Sequence, residues 1–324
     1  MHASPHAVSL QAAPHVVQQV NHLSYFHAIV MGLLQGVTEL FPVSSLGHSV
    51  ILPQLLGWTD LATAQSQPES FYLAFIVGLH VGTAFGLLVF YWRDWVRLTG
   101  AFFSTLRTRR AETPDERFIW LLVFATIPVG IVGLVFEHRL RVLFAKPLAA
   151  SVFLAINGVL LLAGELLRRR TLANKGRLRA ARGRHAAVPD DDSGGFRHLD
   201  TLSFTRGTAI GSAQILALFA GISRSGVTMV AGITEGLDHE DAARFSFMLA
   251  TPVIFLAGIL KLSDLTGPLG NGIRSQTVVA AICAGVAAWV SVRYLVRYFR
   301  TKTLWPFGVY CLLAGTACAI YFAG

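Results

Sequence analysis

Long apolar runs without Asp, Glu, Lys or Arg dominate the pattern of the chain. One such run covers residues 70–92, and another extends from residue 303 to the last residue. A helix that crosses a hydrocarbon core of about 30 Å needs about 20 predominantly apolar residues. By this measure six segments predict membrane-spanning helices: 70–92, 117–136, 146–167, 243–262, 275–295 and 303–323. The pattern therefore predicts an all-α polytopic membrane protein with six transmembrane helices.

Two further apolar stretches, residues 27–57 and 206–236, are interrupted by turn-forming residues. The first break lies at Phe41–Gly47 and the second at Ala220–Gly226. Proline disfavours helix in the residue before it, and Ser and Gly suit caps and turns. Half-helices of about 15 residues reach only about 22 Å. Each stretch is therefore predicted to form a re-entrant helical hairpin.

The two interrupted stretches are related in sequence. A shift of 179 positions aligns, without gaps, Gly32 with Gly211, Gln35 with Gln214, Ser44 with Ser223, Gly47 with Gly226 and Gly57 with Gly236. Three predicted spans follow each stretch, so we expect two structural repeats, residues 25–167 and 205–324. A hairpin plus three spans gives an odd number of crossings, which inverts the second repeat. Residues 1–24 then form an N-terminal extension, and residues 168–204 form a basic linker.

The composition agrees with a membrane protein. Apolar residues make up 53% of the chain and charged residues 14%, and the mean hydropathy is +0.55. Soluble domains carry about 25% charged residues, so most soluble enzymes are excluded. The net charge of +9 would suggest a nucleic-acid partner in a soluble protein. No basic run is interleaved with stacking aromatic residues, however, so we expect membrane lipids and no nucleic acid around this chain.

Lys and Arg are distributed unequally between the two predicted sides. Seventeen lie in the loops 93–110, 168–197 and 297–302, whereas four lie in the loops on the side of the N-terminus. Basic residues are enriched in cytoplasmic loops. The linker is therefore predicted to be cytoplasmic, and both termini and the mouth of the first hairpin are predicted to face outward.

Polar side chains gather around the first break. Gln35 and Glu39 are four residues apart and share a helical face, as do Ser44 and His48 after the break, with Ser45 three residues before His48. An ionisable side chain inside a membrane costs several kcal/mol. A bland alternative places Glu39 near the interface and His48 in the core. Because four such groups surround one break, we interpret them as functional.

The second break supplies a cation and hydroxyl groups. Arg224 has a planar fork of donors that matches phosphate or carboxylate oxygens. Ser223, Ser225, Gly226 and Thr228 surround it at the start of a half-helix, where free N–H groups favour an anion. The alternative is an arginine that merely pairs with the carboxylate of the first break and holds the two hairpins together.

Together the two breaks predict an oxyanion site at membrane depth that is suited to phosphoryl transfer. Ser44 and the polar residues of the second break would bind the anion beside Arg224. Glu39 and Gln35 would hold a divalent cation, Mg²⁺ or Ca²⁺. Ser45 or His48 would attack, or the two would act as nucleophile and base.

The segments Gln35-x-x-x-Glu39 with Pro42–His48, and Gly221–Thr228, resemble the two signature motifs of the bacitracin-resistance type undecaprenyl-diphosphate phosphatases. The resemblance covers the chain from about residue 25. It implies an enzyme of the bacterial inner membrane that removes one phosphate from a polyprenyl diphosphate, recycles the carrier lipid for peptidoglycan synthesis and depends on a divalent cation. We expect its active site to open to the extracytoplasmic side. Two departures are Gln35, where the family often has Glu, and Ala220, where it usually has Pro.

A lipid-phosphate or anion transporter is the rival class, because inverted repeats, broken helices and a buried arginine also suit a carrier. Transport needs no nucleophile, so Ser45 and His48 beside Glu39 favour an enzyme. A membrane scaffold would not need Arg224 at all. The sequence leaves open whether Ser45 or His48 attacks, and it leaves the oligomeric state open.

The charge asymmetry generates a test of orientation. In intact cells, a cysteine placed at Ala3 should react with an impermeant thiol reagent, and one placed at Gly194 should be shielded until the membrane is opened. The measurement is labelling before and after permeabilisation. The reverse pattern would refute the predicted topology.

Overall fold

The computed structural model describes residues 23–66, 71–144, 146–181, 196, 198–260 and 266–324. The α-helices of this part of the chain are α1 Tyr25–Thr38, α2 Ser45–Leu55, α3 Thr59–Ser66, α4 Phe71–Phe90, α5 Trp92–Thr108, α6 Pro114–Phe144, α7 Pro147–Ala181, α8 Phe204–Ser212, α9 Arg224–Thr234, α10 His239–Leu260, α11 Arg274–Tyr298 and α12 Trp305–Ala323. Short 3₁₀ turns occupy Leu199–Thr201, Ala213–Leu218 and Pro268–Gly270.

Six of these helices are long and apolar enough to cross a membrane: α4, α6, α7, α10, α11 and α12. They coincide with the six predicted spans, which confirms an all-α, multi-pass membrane protein. Most bounds differ from the predicted ones by a few residues. Helix α6 is longer than expected and continues to Phe144.

Helix α7 continues beyond the predicted end of its span to Ala181, so the first part of the predicted linker is helical, and the linker bounds stay a prediction. The residues that follow 167 are mostly Arg, Leu, Ala and Lys, which are good helix formers, and no proline stops the helix. Residues 182–195 and 197 of the linker lie outside the described residues, as do residues 1–22 of the predicted extension. Ser24 caps α1, and its Oγ accepts a hydrogen bond from the His27 amide at 3.0 Å.

Two helices were not predicted, α3 and α5. A search for charge-free runs overlooks α5, because Asp94 lies in its first turn and Arg107 in its last. These charges complement the helix dipole and so support the helix. Helix α5 buries Leu98 and Thr105 and exposes most of its other side chains.

Both interrupted stretches form two helical arms around a break, and the caps after the two breaks match. The Ser44 Oγ accepts a hydrogen bond from the Gly47 amide at 3.2 Å, and the Ser223 Oγ accepts one from the Gly226 amide at 3.1 Å. The second stretch differs in that the 3₁₀ turn Ala213–Leu218 follows α8. The re-entrant course of these hairpins in a membrane stays a prediction.

Glycines let the hairpin of each half pack closely on a span of the other half. A Cβ atom at Gly32 of α1 would collide with the carbonyl oxygen of Ala280 in α11. At the aligned position, a Cβ atom at Gly211 of α8 would collide with the carbonyl oxygen of Ala125 in α6. Small residues allow such close backbone approach between helices in membranes. Each hairpin therefore packs against a span of the other half, an arrangement that we call the exchange of hairpins.

Asn157, fully buried in the middle of α7, joins the two breaks. Its Nδ2 donates to the Pro42 carbonyl at 3.0 Å, and its Oδ1 accepts from the Ser223 amide at 3.0 Å. An unpaired backbone group in an apolar interior costs several kcal/mol. One side chain therefore satisfies both breaks and fixes them relative to each other.

The bridge predicts a large effect of Asn157→Leu on stability. This change leaves the Ser223 amide without a partner and the Pro42 carbonyl with only the weak contact from Cys311 Sγ at 3.8 Å, and we expect the free energy of unfolding to fall by about 2–5 kcal/mol. The measurement is the thermal unfolding midpoint of the purified protein in detergent. Ser151→Ala is the matched control, because Ser151 is also buried in α7 but bonds only to its own helix, at the Pro147 carbonyl. Equal midpoints for the two variants would contradict the bridge.

Candidate active site

The two breaks meet at Glu39, which directly follows α1 and is 7% exposed. Its Oε1 accepts a hydrogen bond from Arg224 Nη2 at 2.9 Å. Its Oε2 accepts from Ser45 Oγ at 2.5 Å and from Gln35 Nε2 at 3.0 Å. Glu39 thus connects the two hairpins and lies within proton-transfer distance of a hydroxyl group. This arrangement places Gln35, Glu39, Ser45 and Arg224 in one cluster.

His80 is a further partner of Glu39 that sequence reasoning missed. Its Nε2 lies 3.3 Å from Glu39 Oε2, and its Nδ1 lies 2.8 Å from the Ile76 carbonyl oxygen. Both ring nitrogens face acceptors, which suits a doubly protonated imidazolium. The available signal was an ionisable side chain in the middle of a span that has no other charge.

The turn before α2 has an unusual backbone. Ser44 has φ 69° and ψ 100°, an uncommon conformation for a residue other than glycine. Such conformations persist where the surrounding structure over-determines them, often at functional sites. Gly47 lies one turn later, where a Cβ atom would come within 2.9 Å of the Gly221 Cα atom. Glycine at position 47 therefore allows the two breaks to touch.

His48 lies apart from the Ser45–Glu39 pair. Its Nδ1 donates to the Ser44 carbonyl at 2.7 Å, and its Nε2 is 2.8 Å from the Tyr310 hydroxyl of α12. Since the carbonyl can only accept, the neutral ring carries its proton on Nδ1 and accepts from Tyr310 at Nε2. The base next to the Ser45 hydroxyl is consequently Glu39, whereas the sequence favoured His48.

Arg224 is the first residue of α9, and several of its donors are available. Its Nη2 binds Glu39, and its Nη1 lies 3.5 Å from the Ser246 carbonyl oxygen. The guanidinium has five N–H donors. These two bonds leave donors for the oxygens of an anion.

The other predicted residues of the second break divide into two groups. The Ser223 and Ser225 hydroxyl groups are 3.0 Å apart, and Ser225 Oγ lies 3.4 Å from the Phe41 carbonyl oxygen. Together with Gly226 they form the start of α9. Thr228 lies one turn later, and its hydroxyl donates to the Arg224 carbonyl at 2.7 Å.

Two helices begin at the breaks, α2 and α9. The N-terminus of a helix carries a partial positive charge and N–H groups that favour an anion. These termini and the Arg224 guanidinium are the groups near the Ser45 hydroxyl that favour a phosphate or carboxylate group, and the anion site stays a prediction.

Glu39 and Gln35 alone do not complete the ligand shell of a divalent cation in this arrangement. Glu39 already contacts Arg224, which is positively charged, and His80, which is positively charged when protonated. Gln35 contributes one buried amide oxygen that has no bonding partner in the described part of the chain. Among the described residues, no three His, Cys, Asp or Glu side chains are grouped so that they could hold a metal ion. Mg²⁺ at this pair would therefore need substrate phosphates and water to complete its shell.

Comparison with known proteins matches this chain over almost its whole length. A sequence model of the family described as bacitracin resistance protein BacA matches residues 28–317. That range includes both breaks, the first five membrane-spanning helices and α12 up to residue 317.

Several curated relatives are similar throughout. Undecaprenyl-diphosphatase 2 of Frankia alni is 52% identical over 94% of this chain and 99% of its own length. The undecaprenyl-diphosphatase of Mycolicibacterium paratuberculosis is 54% identical over 93% of this chain and 98% of its own length. Undecaprenyl-diphosphatase 2 of Chromobacterium violaceum is 41% identical over 90% of this chain and 97% of its own length.

Proposed function

Because the chain belongs to the family described as bacitracin resistance protein BacA, we propose that it hydrolyses undecaprenyl diphosphate to undecaprenyl phosphate and phosphate at the paired helix breaks. Relatives named undecaprenyl-diphosphatase that share more than half of its residues support this activity. The observation that carries the proposal is the 2.5 Å hydrogen bond from Ser45 to Glu39, which also contacts Arg224. The product re-enters carrier-lipid recycling for peptidoglycan synthesis.

The substrate is held through its phosphates. Arg224 and the N-termini of α2 and α9 donate to the diphosphate oxygens, so negative charge is neutralised before any bond breaks. In the first step Ser45 Oγ attacks the terminal phosphorus, and its proton passes to Glu39 Oε2. The bond from that phosphorus to the bridging oxygen breaks, and undecaprenyl phosphate leaves with the proton from Glu39.

Water completes the reaction. The ionised Glu39 accepts a proton from a water molecule that attacks the phosphorus bound to Ser45. The bond between that phosphorus and Ser45 Oγ breaks, phosphate is released, and the proton returns from Glu39 to Ser45. Each step uses the hydrogen bond that the two residues already share.

Two further expectations belong to this proposal. We expect the protein to lie in the bacterial inner membrane, as the resemblance implies, and the distribution of basic residues supports a site open to the extracytoplasmic side. The divalent cation implied by the resemblance stays a prediction. In the steps above, Arg224 and His80 are the groups that face Glu39.

The reaction is tested by measuring phosphate release from undecaprenyl diphosphate by the purified protein, with and without a chelator. Ser45→Ala should lower turnover at least about 10³-fold and leave substrate binding nearly unchanged, because the hydroxyl acts once a bond is breaking. His48→Gln should retain turnover within about tenfold, since Tyr310 and not Ser45 is its partner.

Ser49→Ala is the matched control, because Ser49 is buried in the same helix and its hydroxyl has no bonding partner in the described part of the chain. Substantial turnover by Ser45→Ala, with His48→Gln inactive, would assign the attack to His48. Retained turnover in both variants would show that neither Ser45 nor His48 is the nucleophile.

His80 generates a separate prediction. His80→Leu removes a donor that faces Glu39, and we expect kcat/KM to fall about 10–100-fold, in keeping with a charged hydrogen bond lost in a buried site. His80→Gln keeps an N–H donor and should recover most of the activity. Thr83→Val is the control, since Thr83 is buried in the same helix and donates to the Leu79 carbonyl. Equal activity for the Leu and Gln variants would show that His80 does not act through Glu39.

A further inference from the structure

Helix α5 crosses the start of α6 instead of following it. Arg97 Nε lies 2.7 Å from Asp115 Oδ2, and Ser104 Oγ donates to Glu116 Oε1 at 2.9 Å. The two α5 residues are seven positions apart, about 10 Å along a helix, whereas their partners are adjacent. Because α6 is long and apolar enough to cross the membrane, α5 extends sideways at the surface where α6 begins.

A stripe of apolar side chains on α5 faces away from the bundle. Its members lie at spacings of four, seven and three residues, which places them on one helical face. They are Trp92, Val96, Phe103 and Leu106, and they are 55%, 65%, 63% and 52% exposed. The opposite face of α5 buries Leu98 and Thr105. The stripe is therefore an exposed apolar surface separate from the core.

Arginines border this apolar stripe. Arg93 lies over the ring of Trp92, 5.4 Å from its centroid. Arg97 is occupied by ion pairs with acidic side chains of α5 and α6. Arg107 and Arg109 are exposed and form no ion pair with another residue of the described part of the chain. Within the described residues, Arg93, Arg107 and Arg109 thus accompany the stripe without an ion pair to a carboxylate.

We propose that α5 is an interfacial helix that binds anionic phospholipids in the leaflet where α4 ends and α6 begins. The apolar stripe inserts among the acyl chains, and Arg93, Arg107 and Arg109 bind the lipid phosphates. Helices with one apolar face and a basic face lie in the plane of the interface and bind anionic lipid most strongly.

The position of α5 in the chain favours lipid over a protein partner. One residue separates Trp92 from the membrane-spanning helix α4, so the stripe begins at the membrane surface. Another pair of arginine and tryptophan lies where the span α12 begins, with Arg169 over Trp305 at 5.3 Å. Tryptophan and basic residues concentrate at membrane interfaces.

Spin labels test the depth of α5 in the full-length protein. Cys283, Cys311 and Cys318 are replaced by Ala, a single cysteine is introduced at Phe103 or Arg107, and the labelled protein is reconstituted in vesicles of phosphatidylcholine and phosphatidylglycerol. The label at 103 should be accessible to oxygen and shielded from a water-soluble nickel complex, and the label at 107 should show the reverse. Equal nickel access at both positions would overturn the proposal. Spin–spin broadening at 103 would identify a second copy of the chain as the occupant and would also overturn it.

Lipid affinity tests the arginines. Replacing Arg107 and Arg109 together by Gln should lower the affinity for phosphatidylglycerol, titrated by native mass spectrometry, about 20-fold, since each arginine near an anionic surface contributes about fivefold. The control replaces Arg170 and Arg297 by Gln, which removes the same charge from exposed positions outside α5. An equal loss of affinity in the control would show that binding depends only on net charge, and it would overturn the assignment to α5.

Discussion

A helix that breaks inside an apolar bundle exposes backbone groups that water cannot reach, and the fold depends on pairing them. Asn157 pairs the Pro42 carbonyl of one break with the Ser223 amide of the other. Because the same side chain serves both, neither break can shift without uncovering a polar group in the other. Because Asn157 holds the two breaks in place, Glu39 at the first break and Arg224 at the second can form an ion pair although they are distant in sequence.

Charge balance at Glu39 connects this arrangement to the proposed chemistry. One carboxylate faces a guanidinium and an imidazole, so the site carries excess positive character before a substrate arrives. A diphosphate would supply the missing negative charge and bind the Arg224 donors that Glu39 leaves free. Substrate binding and the proposed base thus share one guanidinium.

The spans, the fold class and the family followed from the sequence, because charge-free runs of about 20 residues and two long motifs are strong local signals. The contacts within the site did not. His80 and Asn157 are lone polar residues in apolar runs, and only their position in three dimensions identifies Glu39 and the breaks as their partners. Spacing alone favoured His48 as the partner of Ser45, but Tyr310, 262 residues away in sequence, determines where its ring points. Helix α5 was missed since its apolar residues are interleaved with charges.

The exchange of hairpins between the halves also governs the order in which the protein can be completed. Gly32 of α1 docks against Ala280 of α11, a residue synthesised about 250 positions later. Until α11 is inserted, the face of α1 that will contact α11 faces membrane lipid or earlier helices instead. Contacts between residues so far apart in sequence form late and slow the search for the native state. Neither half can reach its final packing alone, so the site is assembled only after nearly the whole chain has left the ribosome.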